Sequence, residues 1–573
     1  MITVSTITTP DSLSPVLNSN IWFRFNSASS SVSNFKYVVN LNHQLEPFGL
    51  TYIVDQRYKV PPRPLTGECQ YTPHKYLESF FGYKPTPFIS DWTPVDNGLV
   101  RFEIDYGFEY NPNFTFADTF NSGGALGLSF SSAVDIQVGD TIKISKDNKQ
   151  VNSFYDGFCE IDTVLSSTQF VTNKVFGATY TPETGLVTSL LRVNQTTDSY
   201  DAFYGVRQYN ERTRDYGLEY PIGVSPTSKV LTNYPDTSKP TLLEDYESLS
   251  LILNNYTRNT LIVDGYDANG NLIATHSNVI SITNSYYRLD IGVGPQNIIA
   301  DTGSASFFDG VDNYDVYVQN DAALRIRYTV TSVGVLQLIE ITPAGQYNGT
   351  LYWTWNDGSF TYFLWWDGVQ DWYISSALGG GTLYLVSNPL GTPTPTSYLP
   401  TAGNIINSDW LLAGPSFFDF FTLSVPSPTA VTEFQNYKIV ENCSIYDNVR
   451  LVFLNRLGGY DYFNFTLDSK SSLNIERSTF KKLLDFDYSI GDRGETTFAQ
   501  KGEETLVINS DWITEEESVW LEELVSSREA FQVIGTDIYP IQILDTTYEV
   551  KSKLREQIFN LSITFKYSFN KNI

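Results

Sequence analysis

Apolar and polar positions alternate along much of the chain, and this alternation predicts strands. In Val100-Arg101-Phe102-Glu103-Ile104-Asp105-Tyr106 every second side chain is apolar and the others are charged, as in a strand with one buried and one wet face. The same period recurs in Tyr437-Lys438-Ile439-Val440 and from Phe559 to Tyr567. Short strands at close spacing, in Val134 to Ile144, Phe158 to Val164 and Gln169 to Thr172, predict a small barrel. The turn Asp267-Ala268-Asn269-Gly270-Asn271 between Leu261-Ile262-Val263 and Leu272-Ile273-Ala274 predicts a hairpin.

Helical spacing stands out in two places. Thr514-Glu515-Glu516-Glu517 has the Thr-x-x-Glu spacing of a capping box, and Trp520, Leu521, Leu524 and Val525 follow as an apolar stripe, so a capped helix packed on a sheet is expected. A shorter helix is predicted over Thr72 to Phe80, with Thr72 as its cap and Pro73 at its first position.

The fold class is therefore mainly β: a multidomain chain of β-sandwich and small β-barrel modules, with one capped helix on a sheet in the C-terminal domain. Five blocks are expected. They are an N-terminal β domain with a short helix (1–125), a small inserted barrel (126–195), a β domain continuing the scaffold (196–300), an inserted aromatic-rich sandwich-like domain (301–432) and a C-terminal α+β domain (433–573).

Composition narrows the function. The 573 residues are enough for several cores, and the charged fraction of 18% against 15% aromatics excludes disorder for the bulk. A net charge of −27 repels a phosphate backbone, so no sequence-specific nucleic-acid partner is expected. There is no run of about 18 apolar residues, and no membrane insertion is expected. Met1-Ile2-Thr3-Val4-Ser5 does not read as a secretory signal, so synthesis in a cytoplasm is expected. Cys69, Cys159 and Cys443 are too far apart for a metal motif, and three His leave little for acid/base chemistry.

Each catalytic reading meets a stronger structural one. The run from Asp264 to Gly270 has oxygen ligands near a glycine but lacks the distal bidentate Glu of a calcium loop, and a hairpin turn is favoured. Asp309, Asp312 and Asp315 read as turn formers before they read as a carboxylate pair. No nucleophile elbow, P-loop or His-Glu-x-x-His helix is present. No enzymatic activity, catalytic residue, cofactor or metal site is expected. Trp353, Trp355, Trp365, Trp366 and Trp372, half of the ten Trp, read as core or interface ahead of a glycan platform. Because Trp365 and Trp366 are adjacent, they point to opposite faces of a strand.

Several stretches, taken in order, resemble a structural protein family of tailed phages and prophages of Bacteroidetes, including relatives of the crAss-like phages. They are Ile21 to Phe25 with Phe35 to Val39, Val60-Pro61-Pro62-Arg63-Pro64, and Asp201 to Tyr209, where Tyr204 stands in place of that family's Asn. The strongest is Leu451 to Phe465, which contains Asn455, Arg456, Gly458, Gly459, Tyr460 and Asp461, followed by the capped helix and Tyr539 to Asp545. The resemblance covers about half the chain. It implies a virion component of a phage tail, of tail, hub or baseplate type, made in the host bacterial cytoplasm and working through subunit interfaces. The implied partners are other tail proteins and further copies in a homo-oligomeric ring, and the C-terminal block is expected to be tail-tube-like. Host-receptor or glycan binding through 301–432 is the alternative, and a tail-associated polysaccharide depolymerase ranks below both.

Overall fold

In the computed structural model strands make up 56% and helices 8%, so the protein is mainly β, with several sheets and only short helices. The structure describes residues 2–17, 21–45, 52–82, 84–95, 98–146, 157–176, 184–208, 214–222, 228–235, 237–253, 259–279, 287–320, 324–330, 336–341, 343–348, 350–356, 361–368, 371–387, 404–406, 411–412, 418–424, 429–441, 445–483, 486–491, 494–544 and 560–569. Contacts group the chain into two units, one of 1–82 with 97–217 and the other of 83–96 with 218–573.

The first unit is organised by one long strand, Leu99–Tyr110, which contains the alternation from Val100 to Tyr106. It pairs along its length with Lys36–Leu45, and its other edge is shared by Gly185–Thr196 and Tyr200–Val206. Its inward side chains Val100, Phe102, Ile104, Tyr106 and Phe108 join Phe23, Phe25 and Tyr37 in one core. Six strands, Phe114–Ser122, Ala125–Phe130, Thr141–Lys146, Gly157–Ser166, Gln169–Val175 and Gly185–Thr196, then close on themselves, because the third also pairs with the sixth. This barrel begins at Phe114, before residue 126, and residues 134–138 carry no strand. The reason is local: the Asp140 carboxylate accepts the Gln137 backbone N–H at 2.8 Å, turning the chain just before Thr141.

The short helix runs His74–Glu78 and starts from Pro73, with no side-chain cap. Thr72 therefore does not cap it. Pro73 itself takes helical angles (φ −81°, ψ 0°), which moves the helix boundary one residue on.

The second unit holds a four-stranded sheet (Pro221–Ile222, Ser248–Leu253, Tyr287–Gly292, Thr93–Pro94) and a larger one built on Lys239–Thr241, Gln435–Ile439, Asn313–Asn320, Asn259–Tyr266 and Leu272–Val279. Leu251, Leu261, Val263, Ile291, Val316 and Val318 share one core. A helix over Pro295–Thr302, absent from the sequence expectations, starts where the Asn297 amide oxygen accepts the Gly294 and Glu247 N–H groups, and ends at Gly303 with φ +70°. Because Asn313–Asn320 and Gln435–Ile439 are neighbours in this sheet, the aromatic-rich block leaves the scaffold after Asn320 and rejoins it at Thr429. Its described strands form one four-stranded and one six-stranded sheet.

The last block is a seven-stranded sheet in the order Tyr460–Phe465, Val449–Leu454, Ala530–Ile534, Asp537–Ile543, Ser562–Tyr567, Glu495–Asn509, Lys470–Lys481. The Thr514 hydroxyl accepts the Glu517 N–H at 3.1 Å and Glu517 accepts the Thr514 N–H at 2.9 Å, the reciprocal bonds of a capping box. The helix Glu515–Trp520 then breaks at Leu521 and resumes as Glu522–Ser526. Trp520, Leu521 and Leu524 bury against Leu451, Phe453, Ile541 and Phe565 of the sheet.

Candidate assembly interface

The sequence from Asn455 to Asp461 makes a turn that ties three segments together. The Asn455 amide oxygen accepts the Leu457 and Gly459 N–H groups, and its amide nitrogen donates to the Leu231 carbonyl (2.8 Å) and to Asp461 (3.0 Å). Gly458 has φ +81°, a conformation that costs an L-residue roughly 1–2 kcal/mol. Asp461 also accepts from the Thr232 hydroxyl (2.7 Å) and the Trp520 indole (3.0 Å). Arg456 donates from both its backbone N–H and its guanidinium to Glu523, each at 3.0 Å, and Tyr460 donates to Glu529 at 3.0 Å. Burial outweighs the arginine and pushes the Glu523 carboxyl up to about 7, with nearby Asp461 adding to the rise. The side chains of Asn455, Arg456, Tyr460 and Asp461 bond to the 230s segment, the sheet and the helix, so the role of this turn is to position them.

Beneath it lies a buried ionic group. Lys239 is bonded to Glu247, and Arg450 to Asp245 at 2.8 Å, with Glu247 at 3.5 Å. Lys239 Nζ also lies 5.6–5.9 Å from the ring centres of Tyr234, Tyr462 and Trp520. Asn464 bridges Arg450 and Asp245 at 2.9 and 2.7 Å, and the Tyr462 and Ser248 hydroxyls pair at 2.6 Å. Buried pairs of this kind cost several kcal/mol per ion to desolvate, and their mutual attraction together with the Asn464 hydrogen bonds offsets part of that cost. The contacts of Asp245 with Arg450 and Asn464 could not be foreseen from spacing, since these partners lie 205 and 219 residues apart.

This group floors a cleft of about 600 Å³. Tyr234, Lys239, Arg450 and Tyr462 line its base; Ile445, Tyr446 and Trp512, all exposed, form part of its rim. Glu441, Asp511 and Glu517 give the mouth a negative character. The chain then runs from Leu467, in the cleft wall, into the hairpin Lys470–Lys481 with Glu495–Asn509. Of the long strand Glu495–Asn509, the neighbouring Ser562–Tyr567 pairs with Thr505–Asn509 alone, so among the described residues Glu495 to Glu504 and their partners have no third strand. At about 3.3 Å per residue this two-stranded ribbon projects ~30 Å. Its tip carries Leu483, Phe486 and Ile490 fully exposed and Tyr488 largely so, and Phe498 on the second strand is also largely exposed.

In the aromatic-rich block, strand pairing sorts the side chains onto two faces. Trp353, Trp355, Tyr362, Leu364, Trp372 and Ile374 are buried, and Trp366 on the same face is half-buried. Trp365 points the other way, buried under Tyr347 and Tyr373, and its indole N–H donates to Ser375 at 2.7 Å. Tyr352, Phe363 and Tyr373 share that second face and are half-buried, so the aromatic surface open to solvent is made mainly of Tyr and Phe. Tyr373 stands beside Trp372 in the sequence, whereas Tyr352 and Phe363 carry no mark there, because Tyr and Phe are common throughout the chain.

The remaining sequence candidates are placed as follows. Asp267 accepts the Asn269 and Asn271 N–H groups at 2.9 and 2.8 Å, closing the hairpin turn, with Gly270 at φ +80°. Asp309 follows a short 3-10 turn, and Asp312 donates its N–H to the Tyr266 carbonyl at 2.9 Å. Asp315 sits directly across from Asp264, which accepts from the Thr275 and Tyr317 hydroxyls at 2.7 and 2.9 Å. Among the described residues no three of His, Cys, Asp and Glu come together as a metal-holding group, and no helix is long and apolar enough to cross a membrane.

Compared with known proteins, the chain matches no protein-family model and no curated protein.

Proposed function

We propose that the chain is a self-assembling structural component of a phage tail, of tail, hub or baseplate type, working through subunit interfaces in a virion. The observation that carries this reading is the projecting hairpin. An isolated two-stranded ribbon is marginal in water, and one whose tip holds several fully exposed apolar side chains is stabilised only when another surface covers it. A mainly β build with a rigid capped helix and a densely bonded turn at 455–461 suits a part that must hold its shape while bearing load. The resemblance in Leu451 to Phe465 agrees, because those residues build the sheet from which the hairpin grows.

The native mass of the full chain, by light scattering over a concentration series, together with peptide mass spectrometry of purified virions, tests it. A defined oligomer and presence in the particle are expected. A strict monomer that is missing from virions would overturn the reading.

A second reading, recognition of a host surface glycan by the inserted block, is favoured by the half-buried Tyr352, Phe363 and Tyr373 on one face. Aromatic rings of this kind offer flat apolar area with a polar handle.

A further inference from the structure

Among the described residues Lys239 is the one buried lysine. Arg192, Arg288 and Arg450 are also buried, but a guanidinium keeps its charge in any surroundings, whereas a lysine shut away from water can give up a proton and act as a nucleophile. Lys239 Nζ donates to Glu247 Oε1, its one hydrogen-bond partner among the described residues, and the rings of Tyr234, Tyr462 and Trp520 stand around it. Glu247 is 2% exposed, and its second oxygen, Oε2, accepts no hydrogen bond and lies 3.5 Å from Arg450 Nη2. Its backbone is pinned on both sides: the N–H donates to the Asn297 amide oxygen at 2.9 Å and the carbonyl accepts the Val293 N–H at 2.8 Å. An amine and a carboxyl group are thus held in contact, shielded from water, on a fixed backbone.

We propose that Lys239 and Glu247 are a self-modifying pair that condenses to an isopeptide bond. The ammonium passes one proton to Oε1, which leaves an amine beside a carboxylic acid. Nζ attacks Cδ, the C–N bond forms, and negative charge gathers on Oε2, facing Arg450. A second proton moves from the nitrogen to the Oε1 hydroxyl, the C–O bond breaks, and Oε1 leaves as water with both protons. One N–H stays on the amide, and no other reactant enters. The water has an exit, because Lys239 lines the cleft, while the second void that Lys239 and Glu247 line together, about 10 Å³, is at the limit for a single water. Charge favours the step. Condensation removes one cation and one anion and leaves Arg450 paired with Asp245 at 2.8 Å, so the desolvation cost of one ion pair disappears and the rest stays balanced. Lys239 opens the strand Lys239–Thr241 of the larger sheet, and Glu247 precedes Ser248–Leu253 of the four-stranded one, so the bond ties the two sheets covalently. It needs no partner and stands apart from the assembly reading, since a monomer can carry it.

The experiment is intact-mass spectrometry of the full chain, folded by circular dichroism, with fragmentation of the proteolytic peptide that contains both residues. The chain is expected to be lighter than its sequence requires by the mass of one water, either at once or increasingly while it is held folded. Fragment ions should be missing between Lys239 and Glu247, where the new bond closes a ring. Chain kept in denaturant from the time of its isolation in unfolded form should carry the full mass, and so should Lys239→Arg, which keeps the charge and lacks the amine. A folded, unaltered chain that stays at full mass overturns the inference. So does a lost water that fragmentation places outside 239–247, or one that persists in Lys239→Arg, because either marks dehydration at another residue.

Discussion

Gly459 lies so close to Leu231 that a β-carbon on the glycine would stand 2.1 Å from the leucine carbonyl oxygen, the same oxygen that accepts the Asn455 amide. The obstacle is backbone and cannot swing aside. Gly459→Ala should therefore cost about 1–3 kcal/mol through overpacking and break the Asn455 bond as well. Gly458→Ala should cost about 1–2 kcal/mol through its positive φ. Amide exchange in Val449–Leu454 and Tyr460–Phe465 checks both, with Gly459→Ala expected to show the larger loss of protection.

Glu523 makes the stability of the C-terminal sheet depend on pH. Its folded value, about 7, lies above the ordinary 4.5. Below about pH 4.5 the folded and unfolded chains both hold the proton, and the group has no effect on stability. As pH rises towards 7 the unfolded chain releases a proton that the folded one keeps, and above 7 the buried charge costs about 3 kcal/mol. Stability should thus fall between pH 4.5 and 7, and Glu523→Gln should flatten that part of the profile. Denaturation monitored through Trp520, across this range, measures the difference between the two proteins.

Arg192 is buried in the barrel wall with its guanidinium bonded twice to Asp140, at 2.8 Å each, and more loosely to Asp135 at 3.4 Å. Asp140→Ala removes the main counter-charge and also the acceptor that turns the chain at Gln137. A loss of about 3–5 kcal/mol is expected, as for other broken buried pairs. Asp140→Asn, which keeps an acceptor, should lose less. Thermal denaturation compares them.

In the aromatic-rich block the two faces should respond differently. Trp353→Ala empties a fully buried site beside Trp372 and should cost about 3–5 kcal/mol. Tyr352→Ala and Tyr373→Ala remove half-buried rings and should leave the block folded. If the block binds glycans, these two substitutions abolish binding on a glycan array while the melting profile is kept; an unchanged array signal removes the second reading.

Features encoded within a few residues could be read directly from the sequence. The capping box at Thr514 and Glu517 needs only its own turn, and the hairpin at Asp267 to Asn271 closes through bonds inside five residues. Thr72 failed as a cap because Pro73 could take helical angles itself. What depends on distant pairing was hidden. The barrel's closure rests on Thr141–Lys146 meeting Gly185–Thr196, and the bounds of the aromatic-rich block rest on Asn313–Asn320 meeting Gln435–Ile439. The projecting hairpin was the least legible feature, since exposure on both faces erases the alternation that marks a half-buried strand. In the cleft, Lys239, Glu247 and Arg450 gave no local sign of meeting.

Asn320 and Thr429 face each other as register partners across adjacent strands. Their α-carbons are therefore only about 5 Å apart, although more than a hundred residues of chain pass between them. A segment joined at two such points imposes almost no spatial demand on its host, because a short turn bridges the same gap. The aromatic-rich block can then be lost, replaced or exchanged as a cassette while the sheet that carries it keeps its register.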